Sequence, residues 1–170
     1  MKLVLIFVTV ILLMIAGCGG SDAPSSADQE PVYGHLPPDP GEAGKVTLEG
    51  IDSDNDGVRD DLQIAIYKRY PDNPEARAAL EQNAKALQAA VLAGSRGDVE
   101  EIFKVAKSKG QATVCLHVIL NTREASTGRS FVEAMTTNTQ DRIEAYLKYN
   151  QALSGHAFGF DGIDTVNPCD

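Results

Sequence analysis

The stretch from Ile51 to Gln63 constrains this chain more than any other part of it. Acidic side chains recur at alternate positions, Asp52, Asp54 and Asp56, and are followed by Gly57 and then Asp60. Alternate residues of a tightly wound loop turn their side chains toward one centre. A glycine after the third carboxylate supplies the φ > 0 that a sharp reversal needs. Four carboxylates this close repel one another unless a cation sits among them. Immediately afterwards Leu62, Ile66 and Tyr70 recur at helical spacing, with Ile64 and Tyr67 widening the face. The chain must therefore wind a closed acidic loop and run directly from it into a helix. A turn that only caps that helix uses one carboxylate, from Asp60 or Asp61, and leaves the others and the glycine unexplained.

Calcium takes six to eight oxygen ligands in a flexible geometry, which suits such a loop. With Asp52 as position 1, Asp54 and Asp56 fall at positions 3 and 5 and Gly57 at position 6. The Val58 carbonyl falls at position 7, where a backbone oxygen ligates, and Asp60 at position 9, often a water-mediated ligand. The stretch resembles the EF-hand loop, D-x-D/N-x-D/N-G-x5-E. It departs at position 12, where Gln63 replaces the bidentate glutamate and offers one neutral oxygen, so weaker binding is expected, with Asp61 as a partial substitute. No helix is expected upstream, because Lys45 to Gly50 reads as extended chain. A loop with a single following helix is similar to the calcium loops of dockerins and thrombospondin type 3 repeats. The similarity spans only residues 52–70, and those proteins carry several loops, so their partners do not transfer.

The N-terminus reads as a targeting segment. Lys2 is followed by an apolar run from Leu3 to Met14, too short for an ordinary membrane span. It ends Ile15-Ala16-Gly17-Cys18, which resembles the bacterial lipobox. That resemblance implies a signal peptide over residues 1–17 and a lipid anchor on Cys18, with several acyl chains giving durable membrane attachment. Gly19 after the cysteine implies outer-membrane delivery in a Gram-negative host. Residues 19–45 contain five of the eight prolines and little apolar periodicity, so 18–45 is expected to be a flexible tether reaching roughly 30 Å.

Cys115 and Cys169 remain once Cys18 is assigned to lipid. An exported compartment permits a disulfide between them, worth roughly 4 kcal/mol in the chain-entropy account. The alternative is a buried thiol at Cys115 and a loose one at Cys169. The formal net charge of −9, with no basic stripe, argues against nucleic acid and against a polybasic membrane contact.

Residues 46–170 are expected to form an all-α bundle of four to six helices with the loop at one end. Pro71 stops the first helix. Asn73-Pro74 starts a second, with Ala76, Leu80, Ala84, Leu87 and Val91 on one face and Gly94 at its end. Asp98 and Glu101 form a capping box for a third, whose face holds Val99, Ile102, Phe103 and Ala106. Ala112 to Leu120 fits a buried strand or a helix continuing past Gly110, and lacks an obvious partner strand. Ser130 and Glu133 are read as the start of a short helix, and Ile143, Tyr146, Leu147, Asn150 and Leu153 as the face of the last, closed by Gly155.

No catalytic constellation stands out. His35 lies in the expected tether, His117 in the most apolar stretch as a core residue, and His156 after a helix C-terminus. H-E-x-x-H, G-x-S-x-G, C-x-x-C and phosphate-loop patterns are absent from the sequence. Two classes follow. One is a lipid-anchored envelope module, braced by calcium, with another face for a protein partner. The other is an envelope enzyme with a structural calcium site and an active site assembled from scattered residues around His117.

Overall fold

Asn73 and Pro74 set the helix around which the others pack. In the computed structural model, which describes residues 35–157 and 162–170, Asn73 Oδ1 accepts the Ala76 N–H at 2.9 Å and Pro74 opens α2, Pro74–Arg96. Before it come a short 3-10 turn, Gly41–Lys45, and α1, Asp60–Arg69. After it come α3, Val99–Ile119, α4, Thr122–Thr136, and α5, Gln140–Leu153. The described residues are all-helical, without a strand, and no helix among them is long and apolar enough to cross a membrane.

The residues of α2 explain its central place. Its inward positions are largely alanine, including Ala76, Ala79, Ala84, Ala90 and Ala93, all buried. Small side chains let α1, α3, α4 and α5 all pack against it. Toward its start, Leu80 and Leu87 join Val58, Leu62, Ile66, Leu116 and Val132 in the main core. Toward its end, Ala90 and Ala93 meet Ile102, Val105 and Tyr149.

Gly94 does not end this helix. A Cβ there would strike the Ala145 carbonyl and lie 2.8 Å from Tyr149 N, so the missing side chain lets the α5 backbone cross. The helix runs on to Arg96, and Gly97, at φ 71°, turns the chain. Asp98 then caps α3 as expected, accepting the Glu100 and Glu101 N–H groups at 3.0 and 3.2 Å. The Glu101 carboxylate turns instead to Arg96, at 2.9 and 2.5 Å.

The Ala112–Leu120 stretch is helical through Ile119, with Ala112, Cys115 and Leu116 inside. His117 is exposed on the opposite face, and so is not a core residue. Val99, expected inside, is 57% exposed. The next helix begins earlier than Ser130: Asn121 Oδ1 accepts the Glu124 N–H at 3.1 Å, and Ser130 sits exposed within α4. Ala125, Gly128 and Val132 form its buried stripe, whose small residues gave little apolar signal.

On α5 the buried residues are Arg142, Ala145 and Tyr149, whereas Ile143 and Leu147 are 46% and 60% exposed. The close crossing at Gly94 fixes that face. The tether also ends sooner than residue 45. The His35 ring meets the Tyr67 ring at 4.7 Å between centroids, the 3-10 turn packs against α1, and Gly44 is buried. From Lys45 onward the chain bends rather than extends, with Val46 in the αR region.

At the other end, the Sγ atoms of Cys115 and Cys169 lie 2.10 Å apart, at disulfide distance across 54 residues. The tail between is laid against α2 and α3 by two glutamines. Gln82 Nε2 donates to the Pro168 carbonyl at 3.0 Å. Gln111 exchanges two 2.8 Å hydrogen bonds with the Asp164 backbone.

Candidate metal site

The acidic loop closes on itself before α1 begins. The Asp60 N–H donates to the Ile51 carbonyl at 2.8 Å and ties the two ends together. Between them the chain turns through Asn55 at φ 58° and Gly57 at φ 88°. Both angles lie in the left-handed region, which glycine takes freely and asparagine tolerates. The turns wind the chain around Asp52, whose two oxygens accept the Asp56 and Gly57 N–H groups at 3.2 and 3.0 Å.

Winding brings three carboxylates together. One oxygen each from Asp52, Asp54 and Asp60 lies within 4.8 Å of the others. Oxygens held 2.3–2.6 Å from one cation span at most about 5 Å, so these residues can hold a metal ion without moving apart. Asp60 supplies a second observation. It is 1% exposed, its Oδ1 accepts the Ser53 N–H at 2.9 Å, and its buried Oδ2 has no hydrogen-bond partner. A buried carboxylate oxygen without a partner is costly, and a cation removes that cost. Among the described residues none of the three is ion-paired with a basic side chain.

The other expected ligands are placed as follows. Asp60 belongs to the convergent set directly. Asp56 stands outside it: Oδ1 accepts the Val58 N–H at 2.7 Å and Oδ2 accepts Gln63 Nε2 at 3.0 Å. Gln63 keeps one buried oxygen, Oε1, without a partner. Val58 anchors the loop by burying its side chain, 1% exposed, in the main core. Asp61 is no substitute ligand, because both its oxygens are held by Arg59, at 2.9 and 2.7 Å. Cys18 lies outside the described residues.

Two features around the loop escape a reading of local spacing. The first is a pair of buried arginines. Arg59 follows Val58 but turns away from the acids, 2% exposed. Besides Asp61 it donates to the Met135 and Thr136 carbonyls, both at 3.1 Å, and to Gln88 Oε1 at 3.3 Å. Those carbonyls end α4, where no further helical N–H reaches them, so Arg59 caps that helix from across the fold. Arg142, 0% exposed, donates to the Gly44 and Thr47 carbonyls at 2.7 Å each and to Asn138 Oδ1 at 2.6 Å. Burial pushes its guanidinium below the usual arginine range, and the neighbouring Arg59 charge pushes the same way.

The second feature is a stripe on α2. Gln88 bonds Arg59, as above. One turn earlier, the Lys85 stem covers Gly57, whose Cβ position lies 3.5 Å from Lys85 Cε. One turn earlier again stands Glu81, half-buried. Burial raises its pKa, the Asp56 charge raises it further, and Lys85 and Arg77 pull it back. The spacing of positions 81, 85 and 88 signals one helix face, but nothing local shows that this face meets the loop.

The chain matches no protein-family model, and no curated protein or solved structure matches it. The site therefore rests on its own geometry. The histidines take no part in it: His35 lies against Tyr67, His156 against Phe103, and His117 is exposed on α3.

Proposed function

We propose that this is a lipid-anchored, exported calcium-binding protein of a bacterial envelope, in which calcium braces the start of a helical bundle that engages an envelope protein. The observation that carries the calcium reading is Asp60, a buried carboxylate that converges with Asp52 and Asp54 and keeps one oxygen without a hydrogen-bond partner. An all-oxygen donor set with no histidine or cysteine favours a hard cation over zinc or copper. A loop with neutral Gln63 at its last ligand position suits calcium, which accepts irregular coordination, better than magnesium, which demands a tight octahedral shell. The surroundings of the loop favour a strut over a switch, because Val58 and Arg59 bolt it into the core and onto α4.

The lipobox at Cys18 supports anchorage, and Cys115 and Cys169 at disulfide distance suit an oxidising compartment outside the cytosol. Cys18→Ser is expected to move the exported protein from the detergent-requiring membrane fraction to the soluble one. A wild-type protein already soluble after export would remove the anchor.

With Gln63 contributing no charge, the dissociation constant is expected at 10⁻⁴ to 10⁻³ M, on the order of extracellular calcium modules. At about 1 mM calcium and a constant near 10⁻⁴ M, binding stabilises by roughly 1.4 kcal/mol. Melting curves should rise by a few degrees in calcium and return in chelator with the fold intact. Asp54→Ala should abolish the rise, since exposed Asp54 makes only a 3.4 Å bond within the loop. Superimposed curves with calcium and with chelator would exclude the site.

A further inference from the structure

The two ends of the acidic loop meet one side chain that lies outside it. We infer that Gln88, on α2, is a positioning residue of the calcium site: it holds the ends of the loop together, so that Asp52, Asp54 and Asp60 converge before an ion arrives. The inference rests on the calcium reading above and extends it to what sets the affinity.

Gln88 grips the chain on both sides of the loop. On the entering side its Nε2 donates to the Leu48 and Glu49 carbonyls at 2.8 and 3.3 Å. On the leaving side its Oε1 accepts Arg59 Nη1 at 3.3 Å, and Arg59 directly precedes Asp60. The side chain is 9% exposed. Between the two sides Gly50 runs against Arg59, where a Cβ would lie 2.6 Å from Arg59 Cδ. The loop then closes through the Asp60 N–H on the Ile51 carbonyl.

The loop needs such a hold. Without a cation its carboxylates repel one another. The bonds that wind it, from the Asp56 and Gly57 N–H groups to Asp52, are exposed, and water competes for the same donors. Gln88 is shielded from that competition. It also stands on α2, against which the other helices pack, so its position does not depend on the loop. A hold of this kind raises affinity without adding a ligand. The apparent dissociation constant is the intrinsic one divided by the fraction of chains already in the binding geometry. Loss of Gln88 is expected to lower that fraction from near one to about one in ten.

The test is calorimetric titration of the purified chain with calcium chloride, wild type beside Gln88→Met, which keeps the side-chain length and removes both polar ends. Ile102→Val, in the second core with Ala90, Ala93 and Tyr149, loosens the fold away from the loop and serves as the control. Gln88→Met is expected to weaken calcium binding by about tenfold, as loss of a group that orients ligands does, and Ile102→Val to leave it unchanged. Amide hydrogen exchange in chelator reads the hold directly. The Asp60 N–H should exchange faster in Gln88→Met than in wild type and return to the wild-type rate in saturating calcium. Gln88→Asn, too short to reach both sides, should move both readouts the same way, and decides the matter if Gln88→Met does not fold. Equal affinity in wild type and the Gln88 variant overturns the inference while leaving the loop site standing. So does an equal loss in Ile102→Val, which would trace the affinity to overall stability, or an unchanged exchange rate at Asp60. A wild-type chain that takes up no calcium overturns the calcium reading and this inference with it.

Discussion

The acidic loop and the arginine clasp share one backbone segment, with Arg59 set between Val58 and Asp60, yet they satisfy charge by opposite means. Asp52, Asp54 and Asp60 face one another near the surface and leave a buried oxygen without a partner. Arg59 and Arg142 lie inside, and their donors are spent on Asp61, Asn138, Gln88 and backbone carbonyls of residues 44, 47, 48, 135 and 136. One group could hold a cation from solution, while the other carries its partners within the fold. A site of the first kind can be emptied without unfolding the chain. Dismantling the second takes the fold apart, because its partners lie on four separate segments.

The largest effect is therefore expected at the clasp. Arg59→Ala would leave the partly buried Asp61 carboxylate without its charged partner and uncover the last carbonyls of α4. Removing one partner of such a pair costs about 3–5 kcal/mol, to be read by urea unfolding. Arg59→Lys should recover only part of it, since an ammonium cannot reproduce the two-pronged bond to Asp61. A loss below about 1 kcal/mol would show that the clasp is a surface ion pair in solution.

A smaller effect is expected at the Cys115–Cys169 pair, which ties the tail to α3. Cys169→Ser should cost about 2–4 kcal/mol in oxidised protein, and dithiothreitol should lower the wild type to the same stability. Cys115 is fully buried, so Cys169 is the safer position to change. Wild-type protein whose melting is indifferent to reductant would leave the tail held by Gln82 and Gln111 alone.

The same contrast explains what was legible in sequence. The acidic loop could be read because Asp52, Asp54 and Asp60 lie within nine residues of chain, so local winding alone brings them together. Asn73-Pro74 and Asp98 were legible for a similar reason: a cap meets an N–H two or three residues on. The Cys115–Cys169 pair was legible by elimination, once Cys18 was set aside for the expected lipid anchor. The clasp was not, because Arg142 reaches a carbonyl 98 residues away and an arginine in an amphipathic pattern reads as solvent-facing. Gly94 was misread because a glycine can either end a helix or admit a neighbouring backbone, and only the position of α5 decides. The start of α4 was missed because Ala125 and Gly128 bury little apolar surface, so the stripe they form is quiet.

On α5 hydrophobicity and packing disagree. By pattern, Ile143 and Leu147 belong inside and Arg142 outside; in the structure Leu147 is 60% exposed and Arg142 is 0% exposed. Backbone proximity decides the matter. Ala145 and Tyr149 lie against Gly94, and that crossing leaves no freedom to rotate α5 so that Leu147 turns inward. Leu147→Gln should then change stability by no more than about 0.5 kcal/mol, as surface substitutions do. Arg142→Ala, one turn away, should cost several times more by stranding the Gly44 and Thr47 carbonyls. Paired urea titrations of the two variants read both directly. A loss of about 2 kcal/mol or more for Leu147→Gln would mean that this leucine is buried after all, because only removal of a core side chain reaches that size. The rotation of α5, and with it the seat of Arg142, would then have to be redrawn.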